Sequence, residues 1–179
     1  GRWDDAAQIL QDAARRLQAG GADCIVLCTN TMHLVAPQIE AAVSVPFLHI
    51  ADAAGAAAVK ANTLTVGLLG TAFTMEQDFL KARLAAQGLN VLVPDADERR
   101  AVHRIIYEEL CVGVISEASR QVYQQAIANL AARGAQAIIL GCTEIGLLIK
   151  PEHSDLPLLD TTELHAQAAV AFALGDQAV

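Results

Sequence analysis

Residues 23–33 of the chain read DCIVLCTNTMH, an apolar run of strand length that ends in a cysteine, two threonines and an asparagine. Nearly the same arrangement returns at residues 130–144, LAARGAQAIILGCTE, which matches LQAGGADCIVLCTN at residues 17–30 apart from one inserted glycine. Each copy predicts the end of an amphipathic helix, a Gly-Ala turn, a buried strand and a Cys-Thr tip that opens the next helix. In parallel α/β sheets ligands bind at the carboxyl ends of strands, where the next helix offers unpaired N–H groups to an anion. We therefore expect Cys28 and Cys142 to face one small acidic molecule.

The composition is that of a globular protein. The chain has 179 residues, and its 54% hydrophobic content can fill a sizeable core. A net charge of −8, with dispersed basic residues, argues against a nucleic-acid partner or an acidic membrane surface. No apolar run approaches the roughly 18 residues of a membrane span, and no secretory signal opens the chain. These features predict a cytoplasmic protein that binds neither nucleic acid nor membrane.

The four cysteines are predicted to be free thiols in a reducing compartment. Cys24 and Cys28 belong to one extended strand, where four residues span roughly 13 Å, too far for a disulfide. Cys111 and Cys142 have no spacing that is typical of a zinc site, so no metal is expected. Because a lone cysteine is more often a small buried hydrophobe than a catalyst, we assign that structural role to Cys24 and Cys111. The repetition favours a functional role for Cys28 and Cys142.

The order of helical and strand patterns predicts an α/β fold. Alternating βα units are typical of parallel sheets with helices on both faces. The two cysteine tips lie 114 positions apart (142 − 28), so we assign them to two pseudo-symmetric parallel-sheet lobes with the active site in the cleft between them. Residues 1–62 plus 156–179 are predicted to form the first lobe, and residues 63–155 the second. Because the chain opens on a helical pattern, we expect the first lobe to lack its leading strand and the chain to be a fragment of a longer protein.

A pair of opposed thiols has a specific chemical capacity. With an unperturbed pKa of about 8.5, only a few per cent of a thiol is ionised at pH 7, and a helix N-terminus lowers that pKa. One thiolate and one thiol can remove a proton from one face of a carbon and return a proton to the other face. The product of that exchange is the mirror image of the substrate.

Polar residues around the two tips are candidates for substrate binding. Threonines and asparagines at such positions can satisfy helix ends, or can hold a carboxylate through hydroxyl, amide and backbone donors. The second copy also carries an acidic residue, which either orients a thiol proton or favours the start of a helix. The candidate substrate-binding residues are Thr29, Asn30, Thr31, Thr71, Thr143 and Glu144.

Other charged residues and cofactor motifs give no further site. The five histidines are scattered and are interpreted as surface residues or satisfied core residues. Arg120 and Lys150 are more readily explained as solvated surface charges than as partners of a distal substrate carboxylate, so the substrate side chain stays open. The sequence contains no GxGxxG, no P-loop and no pyridoxal-binding lysine motif, so no cofactor is expected.

Four segments resemble a known family. CTNTMH at residues 28–33, HIAD at 49–52, GLLGTAFTMEQDF at 67–79 and GCTEIGLLI at 141–149 are similar to the aspartate/glutamate racemases. These enzymes are cofactor-independent, and the resemblance is greatest to the broad-specificity bacterial amino-acid racemases. It implies two lobes, one catalytic cysteine from each lobe and commonly a homodimer.

Carried over by position, the resemblance implies that Cys28 and Cys142 are the acid–base residues. Asn30, Thr31 and Thr143 would then contact the carboxylate or amino group of the substrate. GCTE, in place of the GCTH of many glutamate racemases, favours the aspartate-racemase branch. Family members begin with a strand and a loop that lines the cleft, so the function is assigned to the parent protein.

Two rival functions remain open at this point. A relative that uses the same cleft to decarboxylate a malonate or isomerise an unsaturated diacid is one rival. Two matched cysteines favour racemisation over that chemistry. The other rival is a catalytically silent amino-acid-binding or interaction module.

Overall fold

The computed structural model describes residues 1–175, and residues 176–179, the end of the segment predicted for the first lobe, lie outside the described residues. The α-helices are α1 Trp3–Ala19, α2 Ala36–Glu40, α3 Ile50–Lys60, α4 Ala72–Glu76, α5 Asp78–Ala85, α6 Ala96–Glu108, α7 Glu117–Ala132, α8 Ile145–Leu148 and α9 Thr161–Leu174. The strands are β1 Ile25–Val26, β2 Phe47–Leu48, β3 Thr65–Gly70, β4 Asn90–Leu92, β5 Ala137–Gly141 and β6 Leu158–Asp160. Short 3₁₀ helices occupy Thr31–Val35, Leu110–Val112 and Pro151–His153.

Two parallel sheets carry the fold, which confirms the predicted α/β class. β1 pairs with β2, and the larger sheet has the order β4-β3-β5-β6. Along β3 and β5 alternate side chains enter two different cores, because successive residues of a strand point to opposite faces. Leu69 and Ile138 pack in the core that includes α6 and α7 residues, whereas Leu68 and Ile139 pack with residues of α3 and α5. The larger sheet is therefore covered by helices on both faces.

The position of the last strand differs from the prediction. Residues 156–160 were expected in the first lobe, yet β6 pairs with β5 in the larger sheet. The physical reason is that the internal repeat extends beyond the cysteine tips. Each copy also includes the strand that pairs with its own cysteine-bearing strand. VPFL at residues 45–48 and LPLL at 156–159 are equivalent, and each places a proline carbonyl on its own copy's cysteine strand. Ile25 N donates to Pro46 O at 2.8 Å, and Ile138 N donates to Pro157 O at 2.9 Å.

Candidate active site

Both cysteine tips open into one cleft with a volume of about 190 Å³. All eight candidate residues from the sequence line this cleft: Cys28, Thr29, Asn30, Thr31, Thr71, Cys142, Thr143 and Glu144. Drug-sized ligands occupy pockets of roughly 300–1,000 Å³, so the cleft is matched to a smaller molecule such as an amino acid.

A larger groove lies elsewhere, between α3 and α9. Its volume is about 550 Å³, and its walls carry mainly alanine, valine and leucine, with one lysine and one glutamine. No thiol or carboxylate lines it among the residues described. Convergent polar groups and nucleophiles characterise an active site better than volume does, so the smaller cleft is the candidate.

The strand topology explains why Thr71 lies beside the Cys142 tip. β3 and β5 are neighbours, and their last residues, Gly70 and Gly141, lie opposite each other in the parallel register. A Cβ atom on Gly141 would lie 3.0 Å from the backbone oxygen of Leu69. The absence of a side chain at this position lets the strand ends approach closely. Thr71 and Cys142 follow directly and project at the same edge.

Cys142 is held as a thiol by its surroundings. Its Sγ donates a hydrogen bond to Glu144 Oε2 at 3.0 Å, and Thr143 Oγ1 donates to the same oxygen at 2.7 Å. Burial, followed by the hydrogen bond to Glu144, raises the pKa of Cys142 to about 12. The expectation that a helix start lowers this pKa is therefore wrong. α8 is only four residues long and begins after Glu144.

Glu144 is in turn stabilised as a carboxylate. Partial burial acts to raise its pKa, but hydrogen bonds from Cys142 and Thr143 outweigh that effect and lower it. Of the two interpretations of this residue, the structure favours the one in which it orients the thiol proton. Cys142 and Glu144 form a donor–acceptor pair at the cleft wall.

Thr71 and Asn30 are buried polar residues of the cleft. Thr71 is the N-cap of α4, where its Oγ1 accepts from Thr74 N. Asn30 Nδ2 donates to Thr161 Oγ1 at 3.0 Å. Both side chains are fixed by these contacts.

Sequence reasoning missed one wall of the cleft. Ile106 and Tyr107 near the end of α6, together with Cys111 in the 3₁₀ helix that follows, line it beside Gly141. Cys111 was predicted to be buried, and it is exposed. Val102, Ile105 and Ile106 have helical spacing in the sequence, but no motif connects α6 with the cysteine tips.

Three buried histidines, His33, His49 and His165, lie close together, and His33 contacts the first tip. His33 Nδ1 contacts Thr29 O at 2.7 Å, while its Nε2 accepts from Ile50 N at 3.2 Å. The ring of His33 lies 4.4 Å from that of His49 and 6.0 Å from that of His165, measured between centroids. Since Nε2 accepts, Nδ1 carries the proton and donates to Thr29 O. The interpretation of these histidines as satisfied core residues agrees with their contacts.

Charges and possible metal ligands near the cleft are few. Glu144 is the single charged side chain among the described residues that line it. Within residues 1–175, no group of three or more His, Cys, Asp and Glu side chains is arranged to hold a metal ion. No helix in the same range is long and apolar enough to cross a membrane.

Known proteins resemble this chain over most of its length. The sequence pattern of the family described as Asp/Glu/Hydantoin racemase matches residues 1–169. A solved structure from Yersinia pestis, assigned as an Asp/Glu racemase, is 51% identical with a TM-score of 0.93, covering 97% of this chain and 76% of that one. An aspartate racemase homologue from Pyrococcus horikoshii OT3 is 34% identical with a TM-score of 0.88 and the same coverage. The broad specificity amino-acid racemase RacX of Bacillus subtilis (strain 168) is 25% identical over 178 residues, which are 97% of this chain and 75% of RacX.

Proposed function

The chain belongs to the Asp/Glu/Hydantoin racemase family and is an amino-acid racemase, an isomerase; on that premise we propose that Cys28 and Cys142 are its two acid–base groups. The observation that carries this proposal is the single cleft lined by both thiols of the internal repeat. Homodimer formation and a cytoplasmic location stay predictions of the sequence.

The proposed reaction is a proton transfer at each face of the α-carbon. As a thiolate, Cys28 removes the α-proton, so the C–H bond breaks and an S–H bond forms. The thiol of Cys142 delivers its proton to the opposite face, where a new C–H bond forms. The two cysteines end with exchanged protonation states, which are those needed for the reverse direction. The raised pKa of Cys142 supports its role as the proton donor.

Glu144 is proposed to orient the thiol proton of Cys142. Its Oε2 lies 3.0 Å from Cys142 Sγ and accepts the thiol hydrogen bond. In the reverse direction Cys142 starts as the thiolate that the forward reaction leaves, so no proton has to move to Glu144. The pKa of Glu144 is lowered, so it stays ionised and again accepts the thiol hydrogen bond once Cys142 is protonated.

The proposed substrate class is free α-amino acids recognised through their common groups. Hydroxyl and amide side chains from both tips surround the cleft, and these suit an α-carboxylate and an α-ammonium group. Glu144 is the one charge among the described lining residues, so nothing there selects a distal carboxylate. This supports acceptance of several side chains, as the name of the Bacillus subtilis relative states for that protein.

Isotope distribution in D₂O tests the two-base mechanism directly. Separate thiols for the two faces deliver solvent deuterium to the product, while the remaining substrate keeps its hydrogen. We expect early D-product from an L-amino acid to be deuterated and the remaining L-substrate to be nearly unlabelled, with the mirrored pattern from the D-enantiomer. Chiral chromatography with mass spectrometry on aspartate, glutamate, alanine and lysine measures both enantiomers.

Three other outcomes would contradict the proposal. Equal labelling of substrate and product from the start would indicate one base that serves both faces. Release of CO₂ from a malonate, or isomerisation of an unsaturated diacid, without amino-acid exchange would favour the rival carbanion enzymes. Amino-acid binding without any exchange would favour a catalytically silent binding module.

Replacing Glu144 with glutamine is expected to make Cys142 more acidic. The substitution removes the negative charge that raises the pKa of this thiol, while burial continues to raise it. We therefore expect Cys142 to react with iodoacetamide at least several-fold faster near pH 9 than it does in the unsubstituted protein. Mass spectrometry of each cysteine-containing peptide across pH 7–11 measures the rate.

Glu152→Gln is the matched control, because Glu152 is an exposed residue of the Pro151–His153 helix, which does not line the cleft. Its Cys142 alkylation profile should coincide with that of the unsubstituted protein. An unchanged profile in Glu144→Gln would show that burial alone sets the pKa of Cys142.

A further inference from the structure

A short chain of hydrogen bonds crosses beneath the cleft and joins the two tips. Thr161, the first residue of α9, is fully buried at 0% exposure, and Asn30 is 4% exposed. Thr161 Oγ1 donates to Leu140 O at 2.8 Å, and Asn30 Nδ2 donates to Thr161 Oγ1 at 3.0 Å. Asn30 lies two residues after Cys28, and Leu140 lies two residues before Cys142. Thr161 thus links the segment that carries Cys28 to the segment that carries Cys142 through two hydrogen bonds.

The chemistry of these groups fixes the direction of each hydrogen bond. A carbonyl oxygen only accepts, so the single hydroxyl hydrogen of Thr161 must point to Leu140 O. Towards Asn30, Thr161 Oγ1 can then only accept. The NH₂ side of the Asn30 amide is consequently turned to Thr161, and its oxygen is turned the other way.

The amide oxygen of Asn30 is left without a partner. Among the described residues, Asn30 Oδ1 is the one buried side-chain nitrogen or oxygen that lacks a hydrogen-bond partner. Buried polar atoms are nearly always paired, and an orphan calls for an explanation such as a missing ligand. Asn30 lines the cleft that holds both thiols. The unpaired atom is an acceptor, so its partner must be a hydrogen-bond donor.

We propose that Thr161 is a positioning residue that turns the Asn30 amide so that Oδ1 accepts a hydrogen bond from the α-ammonium group of the substrate. This inference rests on the proposed function, because it takes the ligand to be an amino acid. The ammonium is the donor that all amino acids share, whereas their α-carboxylate only accepts. Without the Thr161 hydroxyl, the amide can turn its NH₂ to the cleft, where it opposes an ammonium. Thr161 therefore affects recognition of the substrate's amino group indirectly, by fixing the orientation of the Asn30 amide.

The test compares ligands that differ only in the α-amino group. Suitable pairs are L-aspartate with succinate, L-alanine with propionate and L-lysine with 6-aminohexanoate. Calorimetry gives the Kd of each ligand for the unsubstituted protein, Thr161→Val, Thr161→Ser and the control Thr162→Val. Thr162 is the next residue on the same helix and is exposed. Thr162→Val therefore makes the same threonine-to-valine change at a position outside the hydrogen-bond network.

Thr161→Val is expected to weaken binding of the amino acid by about 10- to 100-fold, the range for a hydrogen bond to a charged group. Binding of the acid without the amino group should change less than about twofold. Thr161→Ser keeps the hydroxyl and should restore the preference for the amino acid, and Thr162→Val should not alter it. In an Asn30→Ala background, Thr161→Val should have no further effect on that preference, since the group it orients is gone.

Several results would overturn the inference. Equal weakening of both members of a pair would assign Thr161 a merely structural role, and failure of every pair to bind would remove the amino acid as the ligand. If Thr161→Val does not fold, Thr161→Ala removes the same hydroxyl without adding a group, and the same comparison decides. Binding and proton exchange are separate measurements. Tight, Thr161-dependent amino-acid binding without exchange would overturn the proposed function alone, whereas exchange with an unchanged preference in Thr161→Val would overturn only this inference.

Discussion

Replacing either Cys28 or Cys142 with serine is expected to reduce racemisation by about 10²- to 10⁴-fold, the usual contribution of a positioned acid–base group. A serine hydroxyl is far less acidic than a thiol and cannot serve as the thiolate base. Each variant keeps one thiol, which still faces one side of the α-carbon. We therefore expect residual exchange of the α-proton in D₂O to be confined mainly to one enantiomer, and to the opposite enantiomer in the other variant.

Cys111→Ser is a demanding control for these variants. Cys111 lines the same cleft and is an exposed free thiol, but it has no counterpart in the internal repeat. Cys24→Ser is a second control, because Cys24 belongs to the first copy of the repeat but does not line the cleft. Both controls should keep activity within a few-fold of the unsubstituted protein. If Cys111→Ser were as damaging as Cys142→Ser, or if neither variant at the two tips distinguished the enantiomers, the assignment of one thiol to each face would be wrong.

The residues of the cleft could be predicted from sequence where they follow a predicted strand. Strand ends of one parallel sheet meet at one edge, so Thr71 and Cys142, which directly follow β3 and β5, had to lie near each other. Cys28 follows β1, which belongs to the separate two-stranded sheet. Its place in the same cleft therefore depends on how the two sheets pack against each other.

The wall formed by Ile106, Tyr107 and Cys111 could not be predicted in the same way. Its residues come from α6 and the following 3₁₀ helix, and their place at the cleft depends on how α6 packs across the sheet. The helical periodicity shows which face of α6 is buried, but not what lies beside its exposed end. The raised pKa of Cys142 was missed for a related reason, because burial of a thiol is a tertiary property.

The local structure after the first tip could be predicted in part. The pattern of residues 32–43 predicts a helix that is interrupted or shaped near Pro37, a residue that fits best within the first turns of a helix. The structure has a 3₁₀ helix at Thr31–Val35 followed by the short α2, with Pro37 in its first turn. The 3₁₀ turn places His33 against Thr29 O and Ile50 N, a tertiary contact that local propensity cannot reveal.

Lowering the pH from about 6.5 to 4 is expected to destabilise the protein steeply through His33 and His49. Burial lowers the pKa of His33 to about 4 and that of His49 to about 3, against about 6.5 in an unfolded chain. Below pH 6.5 the unfolded state therefore binds protons that the native state does not, and the free energy of unfolding falls with pH. Each histidine contributes about 1.36 kcal/mol per pH unit at full effect, so the pair contributes about 2.7 kcal/mol per unit. Urea unfolding between pH 4.5 and 7.5 measures this slope.

His49→Asn separates the histidine contribution from that of the carboxylates. His49 Nδ1 accepts from Ala51 N at 3.1 Å as the N-cap of α3, and asparagine can keep this cap without titrating. We expect the slope below pH 6.5 to fall by about 1.4 kcal/mol per pH unit. An equal slope in His49→Asn and in the unsubstituted protein would place the acid sensitivity outside His49.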